Sequence, residues 1–346
     1  MSANDELEQV EPQEALDLYI ADKERDGAAS ATIRSHRSRL GHFVTWFNEE
    51  TDYDSLAELS GLDVRKFKLW RFDDDNSIHT VATHLDTLRV FLRFCAGIDA
   101  LDPEIPPKVK SPNRPNGQRS NEITSDRAEA MLDYLDRYHY ASVEHALVHL
   151  LWHAMIRVGA ARSLDVDDLD LEEGYAEFSH DPSEDTPLKN DEGSERTIHL
   201  RPQTCQILAD YIEQNRVDAT DEHGREPLFT VEGCEGRPHV NTLRNRVYAI
   251  TRPCAHGQGC PHDRDPADCE AAQTMNDASK CPSSESSHAI RRGSISWALR
   301  NETPKPVVSD RADVSPEIID RNYSTLTDRE QADVRSSQLP DDLTDE

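Results

Sequence analysis

The residues best equipped for chemistry in this chain are Arg157, Lys189, His288, Arg291 and Tyr323. Two guanidiniums, an ammonium, an imidazole and a phenol together form a site for an anion. A guanidinium stays charged and matches a pair of phosphate oxygens in a bidentate way. A phenol with a pKa of about 10 attacks at neutral pH only beside a base or in a strongly positive setting. An imidazole can manage that proton or bond an oxygen, and an ammonium can protonate a departing alkoxide. Such a set suits attack on a phosphodiester, where charge collects on two nonbridging oxygens. His288 and Arg291 lie three apart, which puts them on one face of the helix they begin. Arg292 points elsewhere and reads as structural or as an outer phosphate contact. The anion is either a carboxylate of the protein itself or a phosphate from outside.

These residues are spread over a chain of 346, long enough for two domains. Residues 1–10 read as an acidic tail. From 11 to 104 the pattern is helical. In SATIRSHRSRLGHFVTWF, Ser30 is a candidate N-cap, and Ile33, Leu40, Phe43, Val44 and Phe47 share a face. Arg34, Arg37 and Arg39 lie on the other face. SIHTVATHLDTLRVFLRFCAG repeats the plan, with Ser77 as cap and Arg89 and Arg93 outside. Residues 105–121, IPPKVKSPNRPNGQRSN, hold no acid, four basic residues and four Pro, and read as an extended linker. In so acidic a chain, this basic linker is expected to pass along a phosphate backbone. Arg34, Arg37, Arg89, Arg93, Lys108, Lys110 and Arg114 are the candidate nucleic-acid contacts, with a solvated helix face as the plain alternative for the helical ones.

A second domain is expected over 122–335. Ser125 is a candidate cap for the segment through Leu135, and the stretch from Ser142 reads as a long apolar helix that ends at Arg157, followed by Gly159 and an acid-rich turn. YAEFS and RTIHL read as short strands joined by the loop that carries Lys189. Further helices are expected in RPQTCQILADYIEQNR, NTLRNRVYAI, SHAIRRGSISWALRN and SPEIIDRNYS. The last eleven residues, 336–346, form another acidic tail. The fold class implied is mainly α with a small β-sheet.

The charge balance is extreme. Asp and Glu total 67 against 38 Lys and Arg, for a net charge of -29. Such a surface stays soluble by self-repulsion and is the balance that halophilic proteins use. It does not exclude nucleic acid, because a local basic face survives inside an acidic total. In high salt, counterion release contributes less to DNA affinity, so specific contacts must carry more. The longest apolar run, HALVHLLWHAMI, is too short to span a bilayer, and the acidic N-terminus has no signal-peptide core. A cytoplasmic protein is the expectation.

In this order and on these elements, the five residues resemble the tyrosine recombinase (phage integrase) family. The resemblance rests on MIRVGAARSLDVDDLDL around Arg157, the hairpin with Lys189, HAIRRG with its His-x-x-Arg, and SPEIIDRNYS with Tyr323. It implies an N-terminal helical core-binding domain and a catalytic domain that clasp DNA. It also implies a covalent 3′-phosphotyrosine intermediate and a tetramer on paired sites, with neither ATP nor a catalytic metal. The sequence departs from the family pattern in two places. Ala160 stands where an acid often follows the first Arg, and Val314 where a His or Trp usually precedes the Tyr. Arg311 is the candidate for that sixth catalytic position. A catalytically impaired DNA-binding protein on the same fold, and a relaxing enzyme of the type IB topoisomerase kind, are the rival readings.

Cysteine usage adds one further expectation. Of seven Cys, four fall in a polar insert over 253–284, at Cys254, Cys260, Cys269 and Cys281. In a reducing compartment such crowding favours a structural zinc over disulfides. Four Cys is the first ligand set, His262 in place of one Cys the second, and His256 a third choice. The insert ends just before His288, so a metal there would act by positioning the helix that follows.

Overall fold

The computed structural model describes residues 7–114 and 122–322, the last two by backbone alone. Tyr323, the C-terminal acidic tail, residues 1–6 and the linker residues 115–121 lie outside the described residues. The chain divides into two compact units, Met1–Gln118 and Arg119–Glu346.

The first unit holds helices α1 (Pro12–Arg25), α2 (Ser30–Glu50), α3 (Gly61–Asp73) and α4 (Ile78–Gly97). Apolar residues at helical spacing meet in one core built around Tyr19, Phe43, Trp46, Phe47, Phe67 and Phe91. The rings pack edge-on, as Phe43 and Phe67 do with centroids 5.4 Å apart, the arrangement their quadrupoles favour. Ser77 caps α4 as its position suggests, accepting from the Thr80 N–H at 3.1 Å. The cap of α2 falls on Ala29, with Ser30 as the first helical residue. Ile105 and Val109 are buried in this same core, so the stretch expected to be an extended linker is packed at its start. Two apolar side chains among the prolines decide the matter, because each gains more by burial than an extended path offers.

The second unit is built on α5 (Ser125–Tyr138), α6 (Val143–Ala154), α7 (Val158–Ser163), α8 (Pro202–Gln214), α9 (Val240–Ile250), α10 (Glu270–Gln273), α11 (Ser287–Arg300), α12 (Lys305–Ala312) and α13 (Pro316–Asn322). Between α7 and α8 lies an antiparallel three-stranded sheet in the order β1 (Leu169–Asp170), β2 (Tyr175–Phe178), β3 (Arg196–His199). The mainly helical plan with a small sheet is as the sequence implies. The cap of α5 is Thr124, whose hydroxyl takes the Arg127 N–H.

The long apolar helix expected to end at Arg157 is shorter. It stops at Ala154, Met155 adopts a left-handed conformation with φ 56°, and α7 restarts at Val158. The break leaves Arg157 as the N-cap residue of a new helix rather than the last residue of a long one. Helix α6 is buried on nearly all sides and forms the centre of the main core.

A smaller cluster of Met155, Ile295, Leu299, Val308, Ala312 and Ile319 fastens α12 and α13 onto α11. Val314 packs against this cluster. Helix α11 is seated by a close approach of backbone. A Cβ on Gly293 would fall 2.2 Å from the Ile123 carbonyl oxygen, so only glycine fits there.

Candidate active site

Two left-handed residues present their carbonyls to Arg291, and one of them to Arg157 as well. Met155 ends α6, and Asp313, with φ 47°, ends α12. Arg291, 4% exposed, donates from Nη1 to the Met155 carbonyl at 2.5 Å and from Nη2 to the Asp313 carbonyl at 3.3 Å. Arg157 donates from Nη2 to that same Asp313 carbonyl at 3.0 Å, and from Nη1 to the Asp313 carboxylate. The two guanidiniums expected to act together are thus brought to one point. The oxygen they share is a backbone carbonyl, and the carboxylate of the same residue is the anion paired with Arg157.

The Lys189 loop joins the same point. Asn190 donates from Nδ2 to both Asp313 carboxylate oxygens, at 3.0 and 3.2 Å, and the Ser194 hydroxyl donates to one of them at 2.7 Å. Lys189, the neighbour of Asn190, is exposed in the turn that precedes β3. Arg196 enters from β3 and stacks over Phe178 with its guanidinium carbon 5.0 Å from the ring centroid. Burial lowers the pKa of Arg196, the Asp313 charge counters that, and Arg157 adds repulsion. Burial pushes the Asp313 carboxyl up. The Ser194 hydroxyl, the charge and hydrogen bond of Arg157 and the Asn190 amide outweigh it, leaving Asp313 below the usual carboxylate range. The residue is therefore ionised throughout the neutral range.

His288 sits in the first turn of α11, after Ser286, whose hydroxyl accepts the Ala289 N–H at 3.3 Å. Partial burial of the ring, together with the charges of Arg291, Arg292, Arg157 and Arg244, holds the His288 pKa below its ordinary value. A neutral imidazole amid guanidiniums can take a proton or bond an oxygen at neutral pH. Arg244, on α9, was not singled out from the sequence and contributes to this positive field.

Arg311 is placed elsewhere. Its Nη2 and Nε go to the His153 carbonyl at 2.9 and 3.3 Å, and its Nη1 to the His199 carbonyl at 3.0 Å. Those bonds tie α12 to the end of α6 and to β3. Of the two neighbours, Asp313 reaches the arginine pair and Arg311 does not, because the helix end turns their side chains in different directions. The sequence offered no local signal for Asp313, Asn190, Ser194 or the Met155 carbonyl, since each matters only through tertiary docking.

The Cys insert is held by arginine and threonine. Arg127 donates from Nη2 to the Thr251 carbonyl at 2.6 Å and to the Ser283 carbonyl, and pairs with Glu285 at 3.3 Å. The Thr251 hydroxyl donates to the Glu285 carbonyl at 3.0 Å, which closes the stem just ahead of α11. His262 contacts the Ser283 hydroxyl at 2.9 Å, and His256 contacts the Ile250 carbonyl. Among the described residues, no three His, Cys, Asp or Glu side chains converge as a metal-ligand set. Cys254, Cys260, Cys269 and Cys281 are free thiols here, and in this arrangement they do not fit a closed tetrahedral site.

In the first unit, Arg34 and Arg93 stand exposed on α2 and α4. Arg37 pairs with Asp17 at 3.5 Å and Lys108 with Glu104 at 3.8 Å. Asp86 gathers Arg114 at 2.6 Å and Arg89 at 3.1 Å, and Arg89 also holds the Val109 carbonyl at 2.9 Å. Lys110 is exposed, and its carbonyl accepts from Lys68 at 3.2 Å. Two broad surface hollows carry Glu11, Glu14 and Asp17 in one case and Asp170, Glu172 and Glu213 in the other. Both are acidic and would repel a phosphate. Among the described residues, no helix is long and apolar enough to cross a membrane.

Comparison with known proteins adds four findings. Residues 16–96 match the family described as phage integrase, N-terminal SAM-like domain. An integrase/recombinase from Sinorhizobium fredii is 28% identical over 179 residues, which cover 49% of this chain and 54% of that protein. The chain thus spans about half the length of the curated relative it matches. The Tn1549 transposon integrase, solved with transposon right end DNA, has a TM-score of 0.62 at 13% identity, covering 94% of this chain and 99% of that one. The lambda integrase dimer bound to a COC′ core site has a TM-score of 0.63 at 11% identity, covering 92% and 80%. At these identities the likeness is one of fold, and it spans both units.

Proposed function

We propose that the chain is a member of the tyrosine recombinase (phage integrase) family and that it cuts and rejoins DNA strands through a covalent 3′-phosphotyrosine. The observation that carries this reading is the meeting of Arg157 and Arg291 on one oxygen, beside the Lys189 loop and a neutral His288. A phosphodiester offers such a pair two nonbridging oxygens. Guanidiniums fixed in advance stabilise the charge that grows on those oxygens in the transition state.

In the proposed reaction the Tyr323 phenol oxygen bonds to phosphorus and gives up its proton. The bond from phosphorus to the 5′ oxygen breaks. Lys189 delivers the proton that the leaving oxygen needs. His288 holds a nonbridging oxygen or takes the phenol proton. One phosphodiester is exchanged for another, so no nucleotide hydrolysis is required, and attack by a free 5′ hydroxyl reverses the step. Duplex DNA is the partner, Arg34 and Arg93 are proposed as phosphate contacts of the first unit, and a tetramer is the proposed assembly on paired sites. A zinc ion in the insert remains a separate proposal, supported by four Cys in one polar stretch. It would require the insert to close beyond its present arrangement, and the zinc content of the protein against a Cys260→Ser, Cys269→Ser variant tests it.

The experiment for the main reading uses a duplex nicked near the cleavage point. The short strand diffuses away after cleavage and the adduct accumulates. A protein–DNA adduct formed without ATP supports the reading. Tight binding with no adduct would instead favour a DNA-binding protein that has lost the chemistry. Relaxation of supercoils without site preference would favour the topoisomerase-like alternative.

A further inference from the structure

Helix α7, VGAARS, carries no acidic side chain, so the counter-charge of Arg157 must come from another element. It comes from Asp313, whose carboxylate accepts from Arg157, Ser194 and Asn190 while its carbonyl accepts from Arg157 and Arg291. The carbonyl could be supplied by any residue at this turn. The carboxylate could not. A left-handed φ is easiest for glycine, so an acid here sits at a position where its side chain brings a conformational cost. Its contacts supply the reason. They join the end of α12 to the start of α7 and to the loop that carries Lys189. Its single negative charge also acts on both Arg157 and Arg196, which would otherwise repel one another.

We propose that Asp313 is a positioning residue of this site, its carboxylate anchoring the 190–194 loop and thereby holding Lys189 in reach of the leaving 5′ oxygen. The proposal rests on the recombinase reading and deepens it. The carboxylate acts through Asn190 and Ser194 and does not itself touch the substrate. Arg157 keeps its bond to the Asp313 carbonyl when the carboxylate is replaced, so the loop bears most of the loss.

The test separates proton delivery from the rest of the chemistry. Single-turnover cleavage is measured on the nicked duplex and on one whose bridging 5′ oxygen at the scissile phosphate is sulfur. A thiolate leaves without being protonated, so that substrate has little need of Lys189. Asp313→Asn is expected to bind DNA like the wild type and to cleave the oxygen ester roughly tenfold to a hundredfold more slowly. Most of that deficit is expected to vanish with sulfur. Asn190→Ala, at an exposed position, should show a smaller loss with the same recovery, which covers the case where Asp313→Asn does not fold. An equal loss on both esters would overturn the proposal, because the carboxylate would then act on something other than the proton donor. A faster Asp313→Asn would overturn it too, and would mark the carboxylate as a plug that competes with phosphate. If the wild type cleaves neither substrate, the recombinase reading itself fails. A wild type that cleaves both leaves the Asp313 proposal to be judged alone.

Discussion

Arg157 and Arg291 donate to a single oxygen, the Asp313 carbonyl, at 3.0 and 3.3 Å. A guanidinium can bond that carbonyl and still hold donors toward a phosphate, because its N–H groups spread in a rigid plane. Arg291→Lys keeps the charge and loses the planar fork. Adduct formation with this variant is expected to fall by roughly a hundredfold or more, with DNA affinity little changed. Equal loss of binding and cleavage would place Arg291 in general DNA attraction instead.

The seat of α11 can be tested through Gly293. Its α-carbon faces the Ile123 carbonyl oxygen so closely that an added methyl carbon would lie 2.2 Å from it. Backbone must shift to admit even alanine. Gly293→Ala is expected to destabilise the second unit by ~1–3 kcal/mol, read as a lower unfolding midpoint in denaturant. The same variant should slow adduct formation, since α11 carries both His288 and Arg291.

Acid sensitivity follows from buried imidazoles. His149 is pushed down to about 3, by burial first and then by His153, His145 and Arg201, and His153 to about 4, by burial first and then by Arg201 and Arg311. Their rings lie 4.2 Å apart on α6. The folded state refuses protons that the unfolded chain accepts below pH ~6.5, so stability is full above that value and falls as pH drops through it. The loss continues toward pH 3–4 at ~1.4 kcal/mol per pH unit for each fully buried group. His149→Gln should flatten this part of the stability–pH curve measured by denaturant unfolding, and an unchanged slope would contradict the assignment.

The basic residues of the first unit divide into two kinds. Arg34 and Arg93 are exposed, whereas Arg89 is committed to Asp86, Ser111 and the Val109 carbonyl. Arg34→Ala and Arg93→Ala are each expected to weaken DNA binding and to lower the salt dependence by about one ion. Arg89→Ala is expected to lower the stability of this unit instead, because it frees the chain segment that Val109 anchors. Titration of DNA affinity against salt, with thermal unfolding alongside, distinguishes the two.

The readable part of this protein was what short stretches encode. Helices α2 and α4 of the first unit follow from apolar spacing in segments such as Ile33 to Phe47, and the β2–β3 hairpin from two alternating runs around Lys189. His288 and Arg291 stand out because their spacing places them on one helix face. What could not be read depends on docking at a distance. The run from Val143 to Arg157 looks continuous, yet the chain breaks at Met155, whose carbonyl meets Arg291. Asp313 has no motif of its own, and its role appears only once a cluster of small apolar contacts lays α12 against α11. Arg311 stands out by counting back from Tyr323, and counting cannot tell which of two side chains two residues apart a helix end will turn toward the arginines.

The central claim is that the phenol of Tyr323 becomes joined to DNA at this arginine pair. Its most direct test is nicked DNA incubated with wild type and with Tyr323→Phe at high salt, the adduct being digested and its modified peptide sequenced by mass spectrometry. The expected result is a wild-type adduct whose nucleotide is attached to Tyr323, and none with the phenylalanine variant at equal DNA binding. An adduct of undiminished yield in Tyr323→Phe, or one mapped to another residue, would contradict it.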